Sequence, residues 1–225
     1  APEIERQEDI IQYSDIISYQ IDPENREVRF FSVDEQGSSF ANHGALKSWL
    51  ASRDIELVFA INGGMYNSDL SPQGLYIEDN IEKVPIDTAS AGYGNFYLQP
   101  NGIFWLSAEG KATVVSTDDY RDVGNIKYAT QSGPMLIIDG EIHPAFNKDS
   151  ENLHIRNGVG VLPNGNLLFA ISKEKVTFYR LARYFQENKC NNALYLDGFV
   201  SRMYLPSKNW IQEEGNFGII IAEVK

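Results

Sequence analysis

Four times in this chain a short apolar run meets a small-residue turn carrying one polar or charged side chain, and this repetition constrains the fold more than any other feature. Leu57-Val58-Phe59-Ala60-Ile61 ends in Asn62-Gly63-Gly64-Met65-Tyr66, and Gln131-Ser132-Gly133-Pro134 precedes Met135-Leu136-Ile137-Ile138. Arg156-Asn157-Gly158 opens Val159-Gly160-Val161, and Asn192-Ala193-Leu194-Tyr195-Leu196 closes on Asp197-Gly198. A short apolar run bounded by glycine reads as a buried strand that brings its last residue to the edge of a sheet. Glycine there admits positive φ and lets a ligand approach the backbone. Four such ends, distant in sequence, predict one cleft assembled from strand termini.

The remaining elements follow the same logic. Ile16 to Gln20 and Val28 to Val33 read as strands around an Asp22-Pro23-Glu24-Asn25 turn, a hairpin by local pattern. Ala45 to Ser52 has helical spacing, with Leu46, Trp49 and Leu50 on one face. Gly74 to Ile77, Phe96 to Leu98, Ile103 to Leu106 and Ala112 to Ser116 read as further strands. Gly158 to Leu162 and Leu167 to Ser172 flank Pro163-Asn164-Gly165-Asn166, a second hairpin. Phe178, Leu181, Ala182 and Phe185 fall at i, i+3, i+4 and i+7, bracketed by Thr177 and Asn188, which predicts a helix. Ala193 to Leu196 and Phe217 to Ala222 complete the set. Many strands, few helices and no linker or repeat predict a single α+β domain over 1–225, built on mixed β-sheets with flanking helices. The first nine residues read as frayed.

With 225 residues the chain can bury one sizeable core, and its net charge of −12 argues against nucleic acid or an anionic membrane as the main partner. No apolar run approaches the ~18 residues that span a bilayer. Cys190 is the single cysteine, which excludes an intramolecular disulfide and a thiolate cluster; a plain buried thiol is the expectation, a nucleophile the alternative. His43, His143 and His154 lack a metal-ligand spacing, so no cofactor is expected and a divalent cation is the alternative. His143 follows the Asp139-Gly140 turn and is a candidate for the cleft rim, whereas His43 and His154 read as surface residues.

The turns resemble the phosphodiester glycosidase family, which includes the enzyme that removes N-acetylglucosamine from a mannose 6-phosphate diester. The likeness lies in Ile61-Asn62-Gly63-Gly64-Met65-Tyr66, Ser132-Gly133-Pro134, Arg156-Asn157-Gly158-Val159-Gly160 and Leu196-Asp197-Gly198-Phe199-Val200-Ser201. Ser71-Pro72-Gln73-Gly74-Leu75-Tyr76, Gly94-Asn95-Phe96, Pro100-Asn101-Gly102, Ala129-Thr130-Gln131 and Phe169-Ala170-Ile171-Ser172 are similar to its bacterial subgroup. The resemblance covers 56–225 in consistent order; 1–55 is less diagnostic. It implies a hydrolase that cleaves the glycosidic bond of a sugar 1-phosphodiester, exported to the periplasm or cell surface.

Such a substrate leaves as the anion of a strong acid, so its departure needs a fixed cation and N–H donors more than a general acid. Arg156 fits the cation, because its planar guanidinium holds two phosphate oxygens and keeps its charge. The amides of Gly63, Gly64 and Gly133 are candidate anion donors. Asp197 is the first candidate for the carboxylate at the anomeric carbon and Glu174 the second. Asn62, Asn157, Ser132, Gly198 and Ser201 are candidate substrate contacts, and Tyr66, Tyr76 or Phe96 could stack on a sugar ring. Ser132 and Ser201 lack a nucleophile-elbow frame, which favours hydrogen bonding over attack. Asp197 could instead cap its own turn, and Arg156 could pair with a structural carboxylate. Family members with several glycines after the aspartate differ from this chain, where Phe199 and Val200 narrow the cleft. Two other readings stay open: a non-catalytic binder of envelope glycan or sugar-phosphate polymer, and a metal-dependent phosphoesterase.

Overall fold

The fold was obtained as a computed structural model, which describes residues 10–196 and 200–225. In chain order, β1 (Ile16–Ile21) and β2 (Glu27–Phe31) precede α1 (His43–Ala51), followed by β3 (Leu57–Asn62), β4 (Tyr76–Glu78) and β5 (Ile81–Val84). Next come β6 (Gly102–Ser107), β7 (Ala112–Ser116), β8 (Ile126–Ser132), β9 (Met135–Ile138) and β10 (Glu141–Ile142). The chain continues through β11 (Asn157–Val161), β12 (Leu167–Ser172), α2 (Phe178–Glu187) and β13 (Ala193–Tyr195). It finishes with β14 (Met203–Leu205), β15 (Trp210–Ile211) and β16 (Ile220–Val224).

The strands form three sheets: β1-β12-β11-β13-β9-β10, β15-β14-β3-β16-β2 and β5-β4-β8-β6-β7. Every strand pairing among the described residues is antiparallel, which corrects the expectation of mixed sheets. Parallel neighbours need long crossovers, usually helical, and the described chain holds two α-helices. The fold remains α+β in composition but is dominated by sheet.

The continuous apolar runs have a direct explanation: these strands are covered on both faces. In β12, Leu167, Phe169 and Ile171 point into a central core, and Leu168 and Ala170 point the other way. That core takes side chains from all three sheets, including Phe30, Phe59, Phe104 and Met135. α2 covers the outer face of the first sheet with Leu181, Ala182, Tyr184 and Phe185, and α1 covers the second with Leu46 and Leu50. Capping fixes where each helix starts. Asn42 Oδ1 accepts from the Ala45 amide at 2.9 Å, and Thr177 Oγ1 from the Arg180 amide at 3.0 Å.

The β11–β12 hairpin forms as expected, with Asn157 opposite Ile171 and Val161 opposite Leu167. The first expected hairpin does not. The turn after Asp22 is made, with the Arg26 amide on the Asp22 carbonyl at 3.0 Å, but β1 pairs with β12 and β2 with β16, in different sheets. Phe96 to Leu98 is not a strand either: Asn95–Tyr97 forms a 3-10 turn entered from Gly94 at φ +92.

Candidate active site

Three of the glycine turns, and the Leu196 end of the strand that leads into the fourth, converge where the three sheets meet. At the end of β3, the carbonyl and Oδ1 of Asn62 both accept from Asn157 Nδ2, at 2.9 and 3.1 Å, which ties the second sheet to β11 of the first. Asn62 Oδ1 also accepts from the Arg202 amide at 2.7 Å. Ser201 Oγ donates to Asn157 Oδ1 at 3.5 Å, at the limit of hydrogen bonding. From the third sheet, Ser132 Oγ at the end of β8 donates to the Leu196 carbonyl at 2.7 Å. The Leu196 amide donates to the Asn157 carbonyl at 3.4 Å and the Tyr195 amide to the Pro134 carbonyl at 3.1 Å. Asn62, Ser132, Asn157 and Ser201 are all buried. Leu196 is thus held between Asn157 and Ser132, immediately before Asp197 in sequence. Asp197 and Gly198 themselves, with Phe199, lie outside the described residues.

Arg156 sits beneath this junction, only 1% exposed. Its Nε donates to the Val176 carbonyl at 2.9 Å, Nη1 to Tyr195 Oη at 3.1 Å, and Nη2 to the carbonyl and Oδ1 of Asn152, both at 3.0 Å. A guanidinium carries five N–H groups, so one N–H on Nη1 remains for another acceptor. All the protein acceptors are neutral, and no carboxylate pairs with Arg156 among the described residues. Burial lowers its pKa, with the Tyr195 hydroxyl opposing that shift. The structural ion pair weighed from sequence is therefore not what holds it, and a two-pronged phosphate grip is not open to it in this arrangement.

His143 belongs to the same construction by a different route. Arg156 stacks on Phe178 with Cζ 3.6 Å from the ring centroid, Phe178 stacks on Phe146 at 4.9 Å, and Phe146 on His143 at 4.7 Å. The His143 ring is buried; Nδ1 accepts from the Ala145 amide at 3.1 Å, and Nε2 donates to the Gln99 carbonyl at 3.0 Å. Burial, partly offset by that carbonyl, pushes its pKa down, so it is a neutral end to the stack and not an open rim residue. His43 corrects the surface reading. It is the first residue of α1, fully buried 4.9 Å from the Phe217 ring, with Nδ1 donating to the Gln212 carbonyl at 2.9 Å.

The three candidate glycines all sit where a side chain would clash. The Gly63 amide is already engaged by the Ile219 carbonyl at 2.9 Å, and a Cβ there would lie 2.4 Å from Ile221 Cδ1. Gly64 has φ +85 and lies against Thr130, so close that a Cβ would overlap its hydroxyl. A Cβ on Gly133 would lie 2.7 Å from that of Asn101. Tyr66 is half-buried on the α1 side and donates to the Asn216 carbonyl at 2.8 Å, while Tyr76 and Phe96 are core residues. Glu174 is exposed in the turn after β12, two residues beyond Ser172, whose Oγ accepts from the Arg156 amide at 3.0 Å. Cys190 is a buried thiol with its pKa pushed up to about 12 by desolvation.

Three residues were not singled out from sequence. The buried Thr130 hydroxyl and Asn101 Oδ1 have no hydrogen-bond partner among the described residues. Arg202, beside Asn62, has a part-exposed guanidinium that donates to the Ser201 carbonyl at 3.0 Å and lies 3.8 Å from Glu214. Thr130 and Asn101 lie inside the motifs that carried the family resemblance, but only burial shows that their polar atoms are left over.

A junction of strand ends from three antiparallel sheets, built on asparagine, serine and a buried arginine, is the arrangement to set beside known proteins. The family model described as phosphodiester glycosidase matches residues 56–218. The chain belongs to that family. The uncharacterised protein YigE of Escherichia coli K12 is 34% identical over 189 residues, covering 84% of this chain and 73% of YigE. Among solved structures, the zebrafish N-acetylglucosamine-1-phosphodiester α-N-acetylglucosaminidase catalytic domain, auto-inhibited by its pro-peptide, superposes with TM-score 0.55 at 14% identity. It covers 92% of this chain and 87% of that domain. A Burkholderia pseudomallei K96243 protein, provisionally named as exported, gives TM-score 0.60 at 11% identity, covering 92% of this chain and 73% of its own. These two share the fold. No described helix is long and apolar enough to cross a membrane.

Proposed function

We propose that this chain hydrolyses the glycosidic bond of a sugar 1-phosphodiester, releasing free sugar and a phosphomonoester. The observation that carries the reading is Arg156: a buried cation bonded only to neutral acceptors, beneath the junction of strand ends. Burying a charge without a counter-charge is costly, and an anionic ligand above the junction would offset that cost. In low dielectric its field reaches several ångströms and favours charge developing on a departing phosphate.

In this reading Arg202, part-exposed beside Asn62, makes the direct phosphate contact. Asn62 and Asn157 orient the sugar, with Ser132 and Ser201 holding the turns that frame it. Water oxygen bonds to the anomeric carbon as the bond from that carbon to the bridging oxygen breaks. The electron pair leaves on the phosphate, and the water proton passes to a carboxylate. Asp197 is assigned that carboxylate and the stabilisation of positive charge at the anomeric carbon, on its place in the sequence motif. No metal is required by these steps. Export fits an envelope sugar phosphodiester as substrate.

The test is product release from α- and β-linked hexose and N-acetylhexosamine 1-phosphodiesters, with and without EDTA. Free sugar formed equally in both supports the proposal. Product that disappears in EDTA points to a metal-dependent phosphoesterase, and ligand-induced thermal stabilisation without product points to a binding module.

A further inference from the structure

Asn101 stands where the third sheet approaches the junction. Its Nδ2 donates to the Phe96 carbonyl at 2.9 Å, while its buried Oδ1 has no partner among the described residues. A cavity of about 380 Å³ lies at this residue, lined by Thr88, Ala89, Ser90, Asn101, Thr117 and Asp118 among others. That volume falls within the range of about 300–1,000 Å³ found for small-molecule sites.

Two contacts fix the cavity next to the candidate active site. Gly133, which follows Ser132, packs directly on Asn101. The exposed segment 88–94 is anchored on both sides. Asp87 exchanges two bonds with the Gln131 amide, 2.9 Å from its N–H and 2.7 Å to its carbonyl, and Phe96 is held by Asn101.

The lining is hydroxyl, amide and carboxylate, with no lysine, arginine or aromatic residue. Thr117 Oγ1 accepts from Gln131 Nε2 at 3.1 Å, which leaves its own proton to donate. Asp118 is an exposed carboxylate, able to take a charge-assisted bond from a hydroxyl. A cation-free, acceptor-rich lining repels phosphate and suits a ring of hydroxyls, each of which donates and accepts.

We propose that this cavity binds a neutral sugar unit. Resting on the function proposed above, it is the subsite for an uncharged glycosyl unit beyond the phosphate, on the far side of Gly133 from the sugar that Asn62 and Asn157 orient.

The test is an amide-resolved NMR titration of the whole chain with methyl α-D-glucopyranoside, methyl α-D-mannopyranoside and methyl N-acetyl-α-D-glucosaminide. Shifts at 88–90, 99, 101 and 117–118 are expected with at least one of them. Asp118→Ala should weaken that affinity about tenfold, as loss of one charge-assisted bond implies. Ala89→Trp should abolish it by filling the cavity. Both positions are exposed, so Tm should hold in each variant. No shift in these segments with any glycoside, shifts confined to the Asn62 junction, or unchanged affinity in Ala89→Trp would overturn the proposal. Binding is read without turnover, so the two claims separate. Shifts here with no phosphodiester hydrolysis remove the enzyme reading alone, and hydrolysis without these shifts removes the subsite alone.

Discussion

Asn157 links three parts of the junction with one side chain and its own carbonyl: Asn62 through Nδ2, Ser201 through Oδ1 and Leu196 through the backbone. Glycine turns exposed this residue, Asn62 and Ser132 to sequence reading, because a polar residue beside glycine at a strand end has a recognisable pattern, and Ser201 entered through the family-like motif that ends on it. Asn101 and Thr130 sit inside strands or tight turns, and only burial reveals their leftover acceptor and hydroxyl. Arg156 has a role that pattern could not supply: its four engaged N–H groups are satisfied from Asn152, Val176 and Tyr195, all remote in the chain from one another. Arg156→Lys keeps a charge but cannot reproduce that fork. It is expected to cost about 2 kcal/mol, or a Tm drop of roughly 4–8 °C, and to reduce kcat/KM more than 100-fold, checked by calorimetry and kinetics on the same preparation. His43 makes a second prediction. Burial pushes its pKa from 6.5 to about 4, so the unfolded chain binds a proton that the folded chain refuses between those values. Stability is then full above pH 6.5 and falls as pH drops towards 4, by on the order of 3 kcal/mol. Urea midpoints at pH 7, 5.5 and 4.5 should show this decline, and His43→Gln should flatten it.

At the level of elements, α2 and the β11–β12 hairpin were legible because each is specified locally. Thr177 caps the helix, Leu181, Ala182 and Phe185 give its apolar face, and Pro163-Asn164-Gly165-Asn166 closes the hairpin. The β1–β2 hairpin failed for the opposite reason. A turn fixes chain reversal but not partnership, and both strands found better-matched long-range partners in β12 and β16. β8, with Lys127, Tyr128, Thr130 and Gln131 among its seven residues, carries too mixed a pattern to read as a strand, yet it is central in its sheet. Helix α2 lies on the outer face of the sheet that carries Asn157. Leu181→Ala should therefore cost about 2–5 kcal/mol by leaving a cavity, measured by denaturant unfolding, while kcat of the remaining folded protein stays close to wild type. A large fall in kcat at full folding would mean that α2 acts on the site through Leu181 as well as through the Phe178 ring stacked on Arg156.

Across the whole molecule, three sheets enclose one core and lend their strand ends to one junction, so the site exists only once long-range pairing is complete. That convergence brings Asn62, Ser132, Asn157 and Ser201, scattered along the chain, to one junction. The overall charge acts in the other direction. At −12, the protein would repel the proposed anionic phosphodiester, against which Arg156 and Arg202 supply local positive charge. Raising ionic strength from about 10 to about 150 mM screens the long-range repulsion first, so kcat/KM should rise a few-fold; a fall would show that local attraction governs encounter. Hydrolysis in oxygen-18 water distinguishes cleavage at the anomeric carbon from cleavage at phosphorus. Mass spectrometry should find the label in the released sugar and none in the phosphomonoester. Label in the phosphate would place the cleavage at phosphorus and rule out a glycosidase.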